Sequence, residues 1–393
     1  MSKMKYQFSI VMLVFMVSSI LINCTSKKKD AANETNLKKE DTVVGAKLIP
    51  DTNLNNFYGI LASDSSSIDC ISDISKRNKF LENCTVSNAL WNKMYSNLLT
   101  PISNWKKGAL PESCINTDFL FYPFSGPDFL IPNTLFAQTK HIVMFGLELP
   151  GKDMSKYGNG FALNSMPLMQ KSLRDYFGKS YFITKNMMTD LKSDSLNGVT
   201  PLISTFLVKS NFKLISIKNF KLNNSGEKVY FDFEKDTFSN TNIYGVEINY
   251  TKDLINSLQI DYLSFNAEDP SMQTHPEIMQ FFERTIPTNT VSYLKSASYL
   301  LHYNGFSTIR NLVLNKSKYV LQDDTGIAER YFTNDWKLSL WGVYEKPIKD
   351  FSGVYQAELD SLYKVKNQVN PLPFNMGYHY FNGNQNLLLA EKK

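Results

Sequence analysis

The chain has 393 residues, with 42 Lys+Arg against 37 Asp+Glu, 43% apolar and 20% charged side chains. These proportions belong to an ordinary globular protein and exclude a largely disordered, collagen-like or polytopic membrane chain. The formal charge of +5 is too small and too dispersed for a nucleic-acid-binding face. The chain opens with Lys3 and Lys5, followed by residues 8–22, an uncharged apolar run of 15 residues. That run is short of the roughly 18–20 residues that span a bilayer, and it fits the hydrophobic region of a secretory signal.

The run ends in Leu21-Ile22-Asn23-Cys24, which resembles the lipobox of bacterial lipoproteins. Asn23 stands where a small Gly, Ala or Ser is usual. The resemblance implies cleavage after residue 23 and acyl chains, palmitate among them, on Cys24. Each buried CH₂ contributes about 0.8 kcal/mol, so two or three chains hold a protein on its membrane. The expected location is the cell membrane or outer membrane, with the body facing the periplasm or the exterior of the cell envelope. Residues 24–48 are polar and charged, which predicts a lipidated flexible tether. Lys27, Lys28 and Lys29 are placed to touch anionic headgroups. Cys70, Cys84 and Cys114 remain. Their odd number leaves open a Cys70–Cys84 or Cys84–Cys114 disulfide, or three buried thiols.

Beyond the tether a mixed α/β (α+β) fold is expected. A helical and α/β region over residues 49–211 precedes an antiparallel sheet plus α/β region over 212–393, the two packed as one unit. Ser87 is placed to cap a helix that Pro101 ends. Residues 117–123 and 140–147 read as buried strands flanking a short helix near Asn133. Helices follow around Leu168–Phe177 and over 201–209. Residues 212–266 read as an antiparallel meander. Thr274 and Glu277 have capping-box spacing, and Val291, Leu294, Ser298 and Leu301 suit a further helix. Strands are expected at 318–322 and 336–344, with helices from Ser307 and over 355–363. A Pro-broken tail ends the chain.

Standard catalytic motifs are missing. There is no G-x-S-x-G, H-E-x-x-H or complete G-x-G-x-x-G, and no two of the four histidines are close enough in sequence for a local metal pair. Residues 146–153 have the spacing of a phosphate-cradling loop, but Asp153 replaces the Ser/Thr and Glu148 adds negative charge. No cofactor or metal is therefore expected. Carboxylates just beyond buried strands are the best site candidates: Asp128, Glu148, Asp323 and Asp324, with His302 as a possible general base. Their strand ends are expected on one side of the molecule, lining a common cleft.

Residues 122–130 (YPFSGPDFL), 145–151, 295–302 and 321–327 together resemble a family of exported bacterial lipoproteins of unassigned function. The resemblance extends from about residue 85 onward. It implies one integrated fold and names no activity. The sequence thus points to a membrane-anchored lipoprotein carrying a binding or interaction domain for a protein or small molecule. The alternative is an exported hydrolase, or another enzyme, using the strand-end carboxylates.

Overall fold

The computed structural model describes residues 47–182, 192–193, 196–233, 235–236, 239, 241–345, 353, 355–365, 368–379 and 385–393. The signal region, Cys24 and most of the tether lie outside them. Residues 45–393 form one compact unit. Leu48 is already tied to it, its N–H donating to the Leu254 carbonyl at 2.8 Å.

The strands in chain order are β1 (Phe119–Tyr122), β2 (His141–Gly146), β3 (Lys192–Ser193), β4 (Leu196–Asn197), β5 (Lys213–Leu222), β6 (Lys228–Tyr230) and β7 (Tyr244–Thr251). They continue with β8 (Leu258–Ser264), β9 (Thr290–Leu294), β10 (Ser317–Gln322), β11 (Trp336–Gly342), β12 (Val369–Asn370) and β13 (Asn386–Lys392). Eleven of them make one mixed sheet in the order β12-β11-β13-β10-β9-β1-β2-β8-β7-β5-β6, so the fold is mixed α/β. β3 and β4 form a separate small hairpin.

The centre of the sheet, β10-β9-β1-β2-β8, is parallel throughout. The chain builds outward from β1 to β2 and β8 on one side. It then crosses back to add β9 and β10 on the other. Reversals of this kind open a crevice at the carboxyl ends of the two strands where the order turns, here β1 and β9. The predicted meander is present as β5 to β8. Its last strand also pairs in parallel with β2, which fuses the two halves of the chain into a single sheet.

Both faces of the sheet are covered, as parallel strands require. Leu120, Tyr122, Ile142 and Met144 pack on one face, beneath the helices Ile74–Met94, Gly158–Lys179 and Thr200–Lys209. Phe119, Phe121, Val143 and Phe145 point the other way, into the helices Pro276–Thr285 and Ser307–Lys316. Successive strand residues face opposite sides, so a strand covered on both must be apolar at every position.

Several expected boundaries move. Ser87 is buried inside the helix Ile74–Met94, which Asp73 caps by accepting from Ser75 N–H at 3.0 Å. Pro101 does not end the helical run. It sits in the first turn of Thr100–Ala109, entered through one π-helical turn at Tyr95–Leu99. A missing N–H is tolerated at such a position. The helix predicted around Leu168 begins at Gly158 and carries Pro167 internally. Thr274 closes the helix Asp269–Thr274 rather than capping the next one. Residues 290–294, expected in a helix, form β9. The tail supplies β12 and β13. The three body cysteines are free thiols, not a disulfide. Burial pushes Cys84 up to about 11 and Cys114 up to about 12, which leaves both inert.

Candidate ligand-binding site

At the carboxyl ends of β1, β2, β8 and β9 lies a cavity of about 260 Å³. Its walls come from the segments that follow each strand: Phe124 to Asp128, Gly146 to Glu148, Phe265 to Glu268 and Lys295 to Leu300. This is the crevice that the reversal of strand order creates.

The loop after β1 is held by its own polar groups. Ser125 N–H donates to the Phe145 carbonyl at 2.9 Å, and Ser125 Oγ donates to the Gly126 carbonyl at 3.0 Å. Phe124 has φ +56°, and Ser296, directly after Lys295, has φ +61°. Both are non-glycine residues in the left-handed region, and both line the cavity. Such conformations persist only where the surrounding structure enforces them, and they concentrate at functional sites.

Asp128 lies at the inner end, 2% exposed. Its Oδ1 accepts from Tyr176 Oη at 2.6 Å, and its Oδ2 accepts from Tyr122 Oη at 2.9 Å and Lys295 Nζ at 2.5 Å. Lys295 Nζ also donates to the Ser180 carbonyl at 2.7 Å. Burial, followed by the Asp128 charge, holds the hydroxyls of Tyr122 and Tyr176 well above the usual tyrosine range, so both remain donors. A carboxylate engaged three times over is positioned to shape a site rather than to shuttle protons.

Glu148 stands two residues beyond β2 and is also buried. Its backbone carbonyl accepts from Tyr262 Oη at 2.9 Å, and its Oε2 lies 3.5 Å from the same hydroxyl. On one wall Phe124, Phe145 and Phe265 form a run of rings, with centroids 5.0 Å apart for the first pair and 4.6 Å for the second. Tyr181, Phe182 and Tyr299 also line the cavity.

The remaining candidates are elsewhere. Asp323 and Asp324 follow β10, two strands from β1 and on the same edge of the sheet, but they do not line the cavity. Asp324 Oδ1 accepts from His379 Nε2 at 2.9 Å and Asn386 Nδ2 at 3.1 Å. Asp323 Oδ1 accepts from Thr325 N–H at 3.0 Å, while Oδ2 finds no partner among the described residues. Burial, with the neighbouring Asp324 charge added, pushes Asp323 up to about 6. Burial disfavours a charged His379, yet its bond to Asp324 and the two carboxylate charges raise it overall. His302 is driven down to about 4 by burial, which leaves it neutral. It too lies outside the cavity lining.

Sequence reasoning thus named Asp128 and Glu148 but missed Lys295, Tyr122 and Tyr176. One signal for Lys295 was available. It is the only Lys, Arg, Asp or Glu between Arg284 and Arg310. A lone charge in so apolar a stretch is either at the surface or buried with a partner.

Among the described residues no group of three His, Cys, Asp or Glu is placed to hold a metal ion. No described helix is long and apolar enough to cross a membrane. None of the family models, curated proteins or solved structures compared with the chain matches it.

Proposed function

We propose that this chain is a lipid-anchored protein of the bacterial cell envelope whose body binds a small molecule at the switch-point cavity. Cys24 and the apolar run before it support the anchor. The observation that carries the binding reading is the cavity itself. It sits where open parallel sheets take their ligands, eight of its lining residues are aromatic, and a few polar groups converge on it. Binding is favoured over hydrolysis because Asp128 is fully engaged, while His302, Asp323 and Asp324 lie outside the cavity.

The test is a thermal-shift screen of a small-molecule library against the full-length protein in detergent. It is run beside Ala297→Trp, which places an indole in the cavity. Compounds should stabilise the wild type and lose their effect on the filled variant. Identical responses from the two proteins would place any binding elsewhere and overturn the reading.

A further inference from the structure

We infer that the body rests on an anionic lipid bilayer through a tip formed by Ile49 and Ile255, with the cavity at the far edge of the sheet. This rests on the lipid-anchor reading above and adds the surface through which the anchored body meets its membrane.

The first argument is how the tip is built. Leu48 N–H donates to the Leu254 carbonyl, so the chain enters the body beside the turn between β7 and β8. Leu48 and Leu254 are half-buried, whereas the residue after each is exposed, Ile49 by 84% and Ile255 by 63%. The turn is fixed by its own hydrogen bonds. Thr251 Oγ1 accepts from Leu254 N–H at 3.0 Å, and Asp253 Oδ1 accepts from the N–H groups of Ile255 at 2.9 Å and Asn256 at 2.8 Å. Leu254 takes φ +63°, a left-handed conformation that a leucine keeps only where its surroundings enforce it. A single exposed apolar side chain is ordinary on a protein surface. Here two stand together, one of them on a turn whose backbone is held in place.

The second argument is charge. Lys47 and Lys252 flank the Leu48–Leu254 bond in the chain, and Lys213 lies opposite Thr251 in the β5–β7 register. All three are exposed. The two acids in these segments are engaged by backbone groups, Asp253 in the turn and Asp51 as a helix cap that accepts from Leu54 N–H at 2.9 Å. Isoleucines beside lysines suit the interface of an anionic bilayer. The apolar groups enter the acyl boundary, and the ammonium groups meet the headgroup phosphates.

The third argument is position. Lys47 follows Cys24 by 23 residues, a length that reaches at most about 80 Å at roughly 3.3–3.6 Å per residue. An anchor at Cys24 therefore confines the body to a local concentration on the order of millimolar at the membrane, where a weak contact suffices. The chain from that anchor enters the body at the tip itself. β8 then runs from the tip to the cavity, starting at Leu258 after the turn and ending at Ser264 before Phe265 in the cavity wall. Its seven residues separate the two by about 23 Å. Docking through the tip leaves the cavity turned away from the bilayer.

Tryptophan fluorescence of the full-length protein in vesicles tests this. The vesicles contain phosphatidylglycerol and phosphatidylethanolamine with plain or brominated acyl chains, because bromine quenches an indole only at short range. Ile255→Trp should lose most of the emission it adds over the wild type when the chains are brominated. Leu147→Trp, 58% exposed at the cavity, should keep the emission it adds. Both positions are exposed, so neither change disturbs the core. Adding Ile49→Glu to Ile255→Trp should restore the lost emission. Co-flotation of the wild type with the vesicles reports the anchor separately. A protein that floats while Ile255→Trp stays unquenched would overturn the docking and leave the anchor standing. Equal quenching at both positions, or quenching that Ile49→Glu does not relieve, would overturn the docking too. A protein without acyl chains that stays off the vesicles would overturn both readings.

Discussion

Lys295, one residue past β9, meets Asp128, in the loop after β1, at 2.5 Å across the switch point of the sheet, and both side chains are at most 3% exposed. The pair joins the two strands at which the chain reverses its building direction. It also defines the inner end of the cavity. Two charges so deeply buried are costly to desolvate, and the three donors on Asp128 offset that cost.

Removing one partner leaves the other charged and unanswered. Asp128→Asn or Lys295→Met alone should each lower stability by about 3–5 kcal/mol. The double variant should regain a large part of the loss, because no lone charge remains. Urea melts of the four proteins give the coupling directly. Strictly additive losses would show that the two groups act independently.

Two groups near β10 should leave opposite marks on the pH dependence of stability. Asp323 is raised to about 6, so the folded state keeps its proton at a pH where the unfolded chain has lost it. Its contribution is present near pH 4 and is lost as pH rises toward 6. His302 is lowered to about 4, so the folded state is neutral where the unfolded chain is protonated. Its contribution is lost as pH falls from about 6.5 toward 4. Each is worth on the order of 2–3 kcal/mol, and they oppose each other in one window. Their two slopes should largely cancel each other between about pH 4 and 6. Asp323→Asn should make stability climb with pH there, and His302→Gln should make it fall. Parallel profiles for all three proteins would remove both groups from the linkage.

Gly151 holds the exit from β2 against the turn that follows β4. It has φ +73°, and an added β-carbon would lie 1.8 Å from the Asn197 backbone oxygen. The neighbouring bonds, Val199 N–H to the Leu149 carbonyl and Thr200 N–H to the Pro150 carbonyl, are both 3.0 Å. Gly151→Ala should therefore cost about 2–5 kcal/mol, from the left-handed backbone together with the clash. A thermal melt within a degree or two of the wild type would mean that the two turns separate easily.

How far the sequence could be read depended on burial. β1 and β2 were legible because β-forming runs end at Pro123 and at Gly146, so length and punctuation agreed. β9 was not. All five of its residues are buried, so it lacks the alternation of a half-exposed strand, and its apolar positions matched a helix equally well. Misreading β9 hid the parallel centre of the sheet, and with it the switch point. Asp128 and Glu148 could be named because a carboxylate after a buried strand is locally visible. The pairing of Asp128 with Lys295 joins positions 167 residues apart and emerges only from the topology.

The proposed anchor has a direct chemical signature. Intact-mass measurement of the protein extracted from its membrane should show Met1 to Asn23 removed and two or three acyl chains on Cys24. Cys24→Ser should abolish the lipid adduct and the membrane association together. A mature chain that retains Met1, or one that carries no lipid on Cys24, would show that residues 8–22 act as something other than a lipoprotein signal.

The last strand in the chain is the one that seals the sheet. β13 runs antiparallel between β10 and β11, so without it the sheet divides and two inner strands become edges. Leu387, Leu388 and Leu389 are each at most 2% exposed. They face alternate sides, Leu387 and Leu389 into one core layer and Leu388 into the other. At about 1.5–3 kcal/mol for each buried leucine, these three approach the whole stability of a typical domain, about 5–15 kcal/mol. Asn386 in the same strand donates through Nδ2 to Asp324 at 3.1 Å and accepts from Asp324 N–H at 2.7 Å, fixing the turn after β10. Deleting residues 386–393 should therefore abolish cooperative unfolding and leave an aggregating chain, since unpaired inner strands recruit other copies. Leu389→Ala provides the graded version, with an expected loss of about 2–5 kcal/mol. A truncated protein that stays monomeric and melts cooperatively near the wild-type temperature would show that β10 and β11 need no strand between them.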